Sequence, residues 1–361
     1  MPDHYPLSTL FVYLTDRCNL RCSHCWIAPR FSEEPDSGIP LSPLKKVILE
    51  AKPLGLGFIK LTGGEPLLYK GLKELLRFVQ NEGLSTSIET NGTLVQEATA
   101  ELFKSTGVSQ VSVSLDAAEE RIHDDLRGAV GSFKKTLEGI RWLSDRALNI
   151  QIIMTLQRKN RSEIPGLLKL CAESKVSSLK INHMLPFGRG AGAFRRKENL
   201  ELGELIDLYR WTREHQKLFA GIDIFFDLPA AFRSTEEITE KGLCECRIRN
   251  MMGILANGDY CICGIGQTAP ELRIGNICND PVREIWYGSA VLRMIRESLP
   301  AKLTGICGNC LFKFQCLGCC RANAYAVSGS LFAPYFLCQL LYEADRFPDS
   351  RCIETKTYRP N

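Results

Sequence analysis

The chain has 361 residues, 45% of them hydrophobic and 24% charged, with a formal net charge of +4. This length is enough to bury a sizeable core and favours about two domains. The nearly balanced charge gives no electrostatic basis for binding nucleic acid. The longest apolar stretch, residues 322–342, is interrupted by serine, glycine, proline and glutamine, so it is not expected to span a membrane.

Sixteen cysteines make the redox state of the chain informative. In a secreted protein this number would indicate disulfides, but the N-terminal residues lack the basic and apolar regions of a signal peptide. We therefore expect a cytoplasmic protein of an anaerobe or of a well-reduced cytoplasm, with its thiols bound to metal.

From residue 9 to about residue 183, short β-branched runs alternate with longer amphipathic ones. The runs FVYLT, FIKLT, LSTSIET, QVSVSLD, IQIIMTL and LKINHML have the pattern of strands, and helical periodicity lies between them. Six such alternations predict an α/β fold with a parallel sheet. Right-handed crossovers would curl it into a partial (β/α)6 TIM-like barrel, with ligands at the carboxyl ends of the strands.

Three cysteines follow the first predicted strand in a C-x3-C-x2-C pattern: Cys18, Cys22 and Cys25. A closed zinc site or a fully ligated iron–sulfur cube needs four ligands, whereas three thiolates leave one iron of a [4Fe-4S] cluster open for chemistry. The alternative is a zinc site completed by His24 or by a distant cysteine.

Polar motifs also follow the next three strands. Two glycines and a carboxylate follow the second strand, where backbone can approach a ligand closely. Carboxylate, amide and hydroxyl groups at the third and fourth strand ends suit ribose hydroxyls and an amino acid moiety. These residues are Gly63, Gly64 and Glu65, then Glu89 and Asn91, then Ser114 and Asp116.

With these motifs, residues 1–190 resemble the radical S-adenosylmethionine superfamily. The resemblance implies that the open iron binds the amino and carboxylate groups of S-adenosylmethionine, with Glu65 on the amino group. It also implies that Ser114 and the acidic residues line the ribose, that Arg127 pairs the carboxylate, and that His24 lies near the adenine. The alternative for Arg127 is a surface salt bridge with Asp124 or Asp125.

The last third of the chain contains a second set of cysteines. Cys307, Cys310, Cys316 and Cys320 follow C-x2-C-x5-C-x3-C, with Cys246 and Cys263 before them and Cys338 after them. Seven thiolates can complete one iron–sulfur cluster and most of a second, although C-x2-C pairs also suit structural zinc.

This region resembles the SPASM domain, which holds two auxiliary iron–sulfur clusters, expected here to be [4Fe-4S]. The resemblance implies that Cys246, Cys263 and Cys320 bind the first cluster, with Cys244 or Cys261 as candidates for a fourth ligand or an open site. It assigns the second cluster to Cys307, Cys310, Cys316 and Cys338. The remaining cysteines without a counterpart, Cys171, Cys278 and Cys352, are expected to be buried small hydrophobic residues.

We therefore expect three regions: a radical S-adenosylmethionine barrel over residues 1–190, a bridging region over 191–243 and a SPASM domain over 244–361. The bridge is predicted from a Gly-, Arg- and Glu-rich composition followed by an amphipathic helix around residues 202–218.

The resemblance implies reductive cleavage of S-adenosylmethionine and abstraction of a substrate hydrogen. We expect oxidative modification of a ribosomally made peptide by a cross-link, a thioether or a dehydrogenation. The expected partners are flavodoxin or ferredoxin as reductant and either a separate recognition protein or none. The alternatives are decarboxylation of a tetrapyrrole side chain and, in a different class, a noncatalytic electron carrier. Gly264 lies directly after Cys263, where sulfatase-maturing relatives have an aspartate base. We therefore do not expect serine or cysteine oxidation of that type.

Overall fold

The computed structural model describes residues 5–219, 221–243 and 246–354. Its strands are β1 Thr9–Tyr13, β2 Arg17–Cys18, β3 Arg30–Phe31, β4 Phe58–Thr62, β5 Ser85–Thr90, β6 Gln110–Ser114, β7 Ile150–Leu156, β8 Ser178–His183, β9 Asp223–Asp227, β10 Met251–Ile254, β11 Asp259–Cys261 and β12 Arg273–Asn276. Its α-helices are α1 Leu41–Ala51, α2 Leu72–Asn81, α3 Glu97–Ser105, α4 Glu120–Arg127, α5 Ser132–Ser144, α6 Ile164–Glu173, α7 Gly190–Arg195, α8 Leu202–His215, α9 Thr235–Lys241, α10 Val282–Gly288, α11 Ala290–Ser298, α12 Gly305–Gly308, α13 Lys313–Cys316, α14 Arg321–Ser328 and α15 Phe336–Glu343.

One large sheet organises the described part of the chain. Its order is β12-β11-β10-β1-β4-β5-β6-β7-β8-β9, and all pairs from β10 to β9 are parallel. The six predicted strands, β1, β4, β5, β6, β7 and β8, lie side by side in chain order. The predicted α/β class with a parallel sheet is therefore confirmed.

Alternating burial explains why these segments form strands covered by helices on one face. In β7, Ile150, Ile152, Met154 and Leu156 are buried, while the residues between them are partly exposed. The face of the sheet that carries these buried residues packs on the apolar stripes of the helices. In α2, for example, Leu72, Leu75, Leu76 and Val79 are buried. The other face of the sheet, which we call the inner face, carries the charged residues Lys60, Glu89 and Lys180 beside apolar ones such as Ile153.

Four strands extend the sheet beyond the six predicted ones, β9 at one edge and β10, β11 and β12 at the other. Strand β9 comes from the predicted bridging region and pairs with β8, and β10 from the SPASM region pairs with β1. The sequence DIFFD of β9 is short and carries aspartate at both ends, so its strand pattern is weak. Residues 191–243 therefore contribute to the sheet as well as connecting the two cysteine-rich regions.

The predicted amphipathic helix near residue 202 is present as α8. Among the described residues, no helix is long and apolar enough to cross a membrane.

Candidate active site

Three thiols lie on the loop that follows β1. Cys18 and Cys22 are buried and Cys25 is half-buried. Burial, the Glu65 carboxylate and the other two thiols together raise the pKa of Cys18 to about 12, with burial the largest cause. Each thiol therefore lies within electrostatic reach of the others, as the sequence predicts for ligands of one cluster.

The two glycines of the GGE motif allow the end of β4 to contact this cysteine loop. Gly63 has φ +128°, and Gly64 donates its N–H to the Thr15 carbonyl at 2.8 Å. A Cβ on Gly64 would lie 1.9 Å from the Arg17 carbonyl oxygen. The glycines are thus required for close packing against the loop that carries Cys18.

Glu65 is fully buried beside the loop. Its carboxylate accepts hydrogen bonds from the backbone of Leu67 at 3.1 Å, from the Thr90 hydroxyl at 2.7 Å and from the backbone of Asn91 at 2.8 Å. Burial raises the pKa of Glu65, against the effect of these three donors. A carboxylate has about four acceptor positions, so one position remains for an ammonium group.

Asn91 links β5 to the first thiol. Its amide nitrogen lies 3.9 Å from Cys18 Sγ and donates to Asn19 Oδ1 at 2.8 Å. Two of the predicted strand-end motifs therefore meet at Cys18.

A buried ionic cluster lies beside the second thiol. Arg127 Nε is 2.8 Å from Asp116 Oδ2, and Arg127 Nη1 is 3.7 Å from Cys22 Sγ. His24 Nε2 is 3.4 Å from the same Asp116 oxygen. Burial would raise the pKa of Asp116, but the charge of the Arg127 guanidinium holds it below its usual value. Burial lowers the pKa of His24 to about 4, so this imidazole is neutral near pH 7.

Two atoms of this cluster, Asp116 Oδ2 and Arg127 Nε, are buried and make no hydrogen bond of good geometry despite their short separation. Buried polar atoms without a hydrogen bond are costly, and this ion pair can therefore bind a ligand that brings hydroxyl and carboxylate groups. The alternative of a surface salt bridge is wrong, because Arg127 is buried and Asp124 instead accepts hydrogen bonds from Ser132 and Phe133.

Glu89 and Ser114 lie on the inner face of the sheet. Glu89 forms an ion pair with Lys60 and accepts a hydrogen bond from Thr62 at 3.1 Å. Burial would raise the pKa of Glu89, but the Lys60 ammonium lowers it below the usual value. Ser114 ends β6 opposite Ile153. Neither residue contacts the three thiols in the described structure.

Four thiols of the C-terminal region line one cavity, together with apolar side chains such as Ile306 and Phe347. They are Cys307, Cys310, Cys316 and Cys338. The Cys338 thiol hydrogen-bonds Cys307 and thereby lowers the pKa of Cys307, and all four interact electrostatically. The set is the one expected for the second auxiliary cluster.

A second group of thiols brings together residues far apart in the chain. Cys320, whose side chain is exposed, interacts electrostatically with Cys246 and Cys263, and burial raises the pKa of the half-buried Cys263. Cys261 is fully buried next to Cys263 and packs against the backbone of Gly253 and Gly266. Cys244, the other candidate for a fourth ligand, lies outside the described residues.

Within the described ranges, no three His, Cys, Asp or Glu side chains converge as they would around a single metal ion. In an iron–sulfur cluster the thiolates bind separate irons, so they need not converge on one point. Cys171 is buried as expected, but the expectation for Cys278 is wrong, because its side chain is exposed.

Tyr13, at the end of β1, lies between the two thiol regions. Its ring packs edge-on against Trp26 with centroids 6.1 Å apart, and its phenol interacts electrostatically with Cys263, Cys261 and Cys320. Cys320 in turn interacts with Asp227 at the end of β9. The first auxiliary thiols therefore lie across the carboxyl ends of β1 and β9.

The structure also explains Gly264. A Cβ at this position would lie 1.9 Å from the Tyr13 hydroxyl oxygen and 2.3 Å from Trp26. An aspartate therefore has no room at this position without rearrangement.

Sequence reasoning gave no role to Arg189, which follows β8. Its backbone N–H donates to the Cys25 carbonyl at 2.9 Å and its side chain donates to the Cys22 carbonyl at 2.8 Å. Gly188, at φ +59°, lets this turn approach Trp26. The sequence signal for this residue was the PFGRG run. Its contact with a loop about 160 residues away can be recognised only from the tertiary structure.

Comparisons with known proteins agree with this geometry. The family described as "Radical SAM superfamily" matches residues 12–171, and "Iron-sulfur cluster-binding domain", the SPASM family, matches residues 244–311. The chain belongs to the radical S-adenosylmethionine superfamily and carries a C-terminal SPASM domain. It is therefore an enzyme of this superfamily, with a [4Fe-4S] cluster, S-adenosylmethionine and auxiliary iron–sulfur clusters as its cofactors.

Among similar proteins, an AdoMet-dependent heme synthase from Methanosarcina barkeri is 31% identical over 327 residues, covering 88% of this chain and 91% of that protein. The antilisterial bacteriocin subtilosin biosynthesis protein AlbA from Bacillus subtilis is 26% identical, covering 85% of this chain and 68% of that protein. The crystal structure of Streptococcus suis SuiB bound to S-adenosylmethionine covers 93% of this chain and 77% of that chain, with a TM-score of 0.72 and 19% identity. That last likeness establishes the fold.

Proposed function

We propose that this enzyme oxidatively decarboxylates a carboxylate side chain of a tetrapyrrole, the alternative that the sequence left open. The observation that carries the proposal is the likeness to an AdoMet-dependent heme synthase along nearly the whole of both chains. The likeness to AlbA is weaker and covers about two thirds of that protein.

The proposed reaction converts a –CH2–CH2–COO⁻ side chain into –CH=CH2. The side chain loses a hydrogen atom from the carbon next to the ring, then carbon dioxide and one electron. When bound, the cluster and S-adenosylmethionine would supply a 5′-deoxyadenosyl radical that takes the hydrogen atom. The electron needs an acceptor, which an auxiliary iron–sulfur cluster would provide.

The residues around the first thiols are proposed to bind and orient S-adenosylmethionine. Cys18, Cys22 and Cys25 would hold the cluster, and the remaining acceptor position of Glu65 would receive the ammonium group. Asp116 Oδ2 and Arg127 Nε, the two buried atoms without hydrogen bonds, would face its hydroxyl and carboxylate groups. The neutral His24 ring would lie against the adenine, which costs no buried charge.

The two other thiol groups are proposed to bind the auxiliary clusters. Cys246, Cys263 and Cys320 would hold the first cluster and Cys307, Cys310, Cys316 and Cys338 the second. Because the first set lies across the carboxyl ends of β1 and β9, its cluster would lie near a substrate on the inner face of the sheet.

The test is incubation of the anaerobically reconstituted, reduced enzyme with S-adenosylmethionine and an iron porphyrin that bears four propionates. Each decarboxylation lowers the porphyrin mass by about 46 Da, the mass of carbon dioxide and two hydrogens. An unchanged porphyrin under conditions where 5′-deoxyadenosine forms would contradict the proposal.

The second candidate is oxidative modification of a ribosomally made peptide, favoured by the likeness to AlbA. Under this proposal a peptide encoded near the gene, and no porphyrin, would change in mass. Loss of about 2 Da would indicate a cross-link or a dehydrogenation. Flavodoxin or ferredoxin is proposed as the reductant in either case.

A further inference from the structure

The inner face of the sheet carries a row of residues that the proposed roles above do not use. Strand pairing places Ser114 opposite Ile153, Ile153 opposite Lys180, and Lys180 opposite Phe225. Side chains at such directly paired positions point to the same face and lie next to each other. Lys180 and Phe225 are therefore neighbours on β8 and β9.

Lys180 is a half-buried cation. In the described part of the chain, its ammonium makes no hydrogen bond, ion pair or cation–π contact. It does act on the inner face, because its charge contributes to lowering the pKa of Glu89 two strands beyond β7. The other lysine on this face, Lys60, is already paired with Glu89.

Phe225 provides an apolar surface beside this cation. Its side chain is 49% exposed, although large apolar residues on a sheet are usually covered. A half-exposed aromatic ring next to an ammonium without a direct ion pair suits a ligand that is both flat and anionic.

The surroundings favour a carboxylate over a phosphate. Asp223 and Asp227 flank Phe225 on β9, and Glu89 lies on the same inner face, so a doubly charged anion would meet several carboxylates. Glu89 is paired with Lys60, and Asp223 forms no ion pair with Lys180 among the described contacts. Asn182, two residues further toward the carboxyl end of β8, has a buried Oδ1 without a hydrogen-bond partner, which can accept from a neutral polar group of a ligand.

We propose that Lys180 anchors a carboxylate of the substrate while Phe225 packs against its ring system, so that these two residues select tetrapyrroles with acidic side chains. This inference rests on the proposed function and specifies where the substrate binds. The carboxyl ends of β8 and β9 lie beside the first auxiliary thiols. A tetrapyrrole bound by Lys180 and Phe225 would therefore direct its opposite edge, with the remaining side chains, toward the carboxyl ends of the strands.

The experiment compares two probes, the iron porphyrin with four propionates and its tetramethyl ester, by absorbance titration of the anaerobic holoenzyme. Lys180→Met should raise the Kd for the acid by about 10- to 100-fold, as expected for loss of a hydrogen bond to a charged group. It should change the Kd for the ester by less than about twofold. Lys180→Arg should restore most of the affinity for the acid.

Phe225→Ala should weaken acid and ester by the same factor, because the ring contact does not depend on charge. Lys169→Met is the matched control, since Lys169 is exposed on α6, and it should bind both probes like wild type. Iron content and the absorbance of the clusters show whether each variant is folded and loaded.

Two failures can be told apart. If wild type binds the acid and Lys180→Met binds it equally well, the assignment of Lys180 is wrong while the proposed function stands. If wild type binds neither probe although it cleaves S-adenosylmethionine, both the assignment and the tetrapyrrole function are wrong.

Discussion

The two cysteine-rich regions of this enzyme hold their thiols in opposite ways. The N-terminal thiols contact polar and charged groups of the barrel, with Asn91 at Cys18 and Arg127 at Cys22. The four thiols of the second auxiliary set line an apolar cavity, and two of them hydrogen-bond each other. The first arrangement leaves donors and acceptors for a second ligand, whereas the second suits a cluster with protein ligands only.

This difference separates the expected effects of cysteine substitutions. Cys18→Ala should reduce 5′-deoxyadenosine formation to background, because the cluster that binds S-adenosylmethionine loses one of its three protein ligands. Cys316→Ala should lower iron content and abolish substrate oxidation while 5′-deoxyadenosine still forms. Chromatography of the nucleoside and iron analysis of both variants check this. Equal loss of nucleoside in both would show that the regions are not separable.

The packing of β4 against the cysteine loop can be tested without substituting a residue that is proposed to bind the cluster. Gly64→Ala places a Cβ 1.9 Å from the Arg17 carbonyl oxygen. Because the clashing atom belongs to the backbone, a change of side-chain rotamer cannot relieve the clash. We expect a destabilisation of about 1–3 kcal/mol or more and weak binding of S-adenosylmethionine. Gly57→Ala is the control, because a Cβ there meets no atom within 4 Å. The free energy of unfolding and ligand binding would be measured; similar values for both variants would refute the role of Gly64.

His123, a buried residue of α4 whose Nδ1 accepts a hydrogen bond from the Asp116 backbone, predicts a pH dependence. Burial lowers the pKa of His123 from 6.5 to about 4, so the unfolded state binds a proton more readily than the folded state over that range. The free energy of unfolding should therefore fall as the pH falls from 6.5 to 4. His123→Gln cannot take up this proton and should remove about 2–3 kcal/mol of the decrease. Anaerobic urea unfolding at several pH values measures it, and an unchanged slope in the variant would contradict the account.

The smallest effect is expected for Cys278, an exposed thiol without a predicted cluster. Cys278 lies outside both auxiliary groups, so Cys278→Ser should leave iron content and product formation unchanged. A loss of iron in this variant would mean that Cys278 is a ligand of an auxiliary cluster and that the proposed ligand sets are wrong.

The sequence predicted the six central strands because their β-branched runs alternate with amphipathic helices, a local signal. It also predicted which cysteines come together, through a family resemblance rather than through geometry. It missed β9, whose DIFFD pattern is short, and it missed the pairing of β10 with β1 across about 240 residues. The contact of Arg189 with the cysteine loop and the position of Lys180 beside Phe225 depend on strand register, which local patterns do not encode.

The most direct test of the proposed chemistry is the mass of the porphyrin after reaction with reduced enzyme and S-adenosylmethionine. The account predicts losses of about 46 Da, each accompanied by one 5′-deoxyadenosine. Formation of 5′-deoxyadenosine with an unchanged porphyrin, together with a mass change in a peptide substrate, would contradict it.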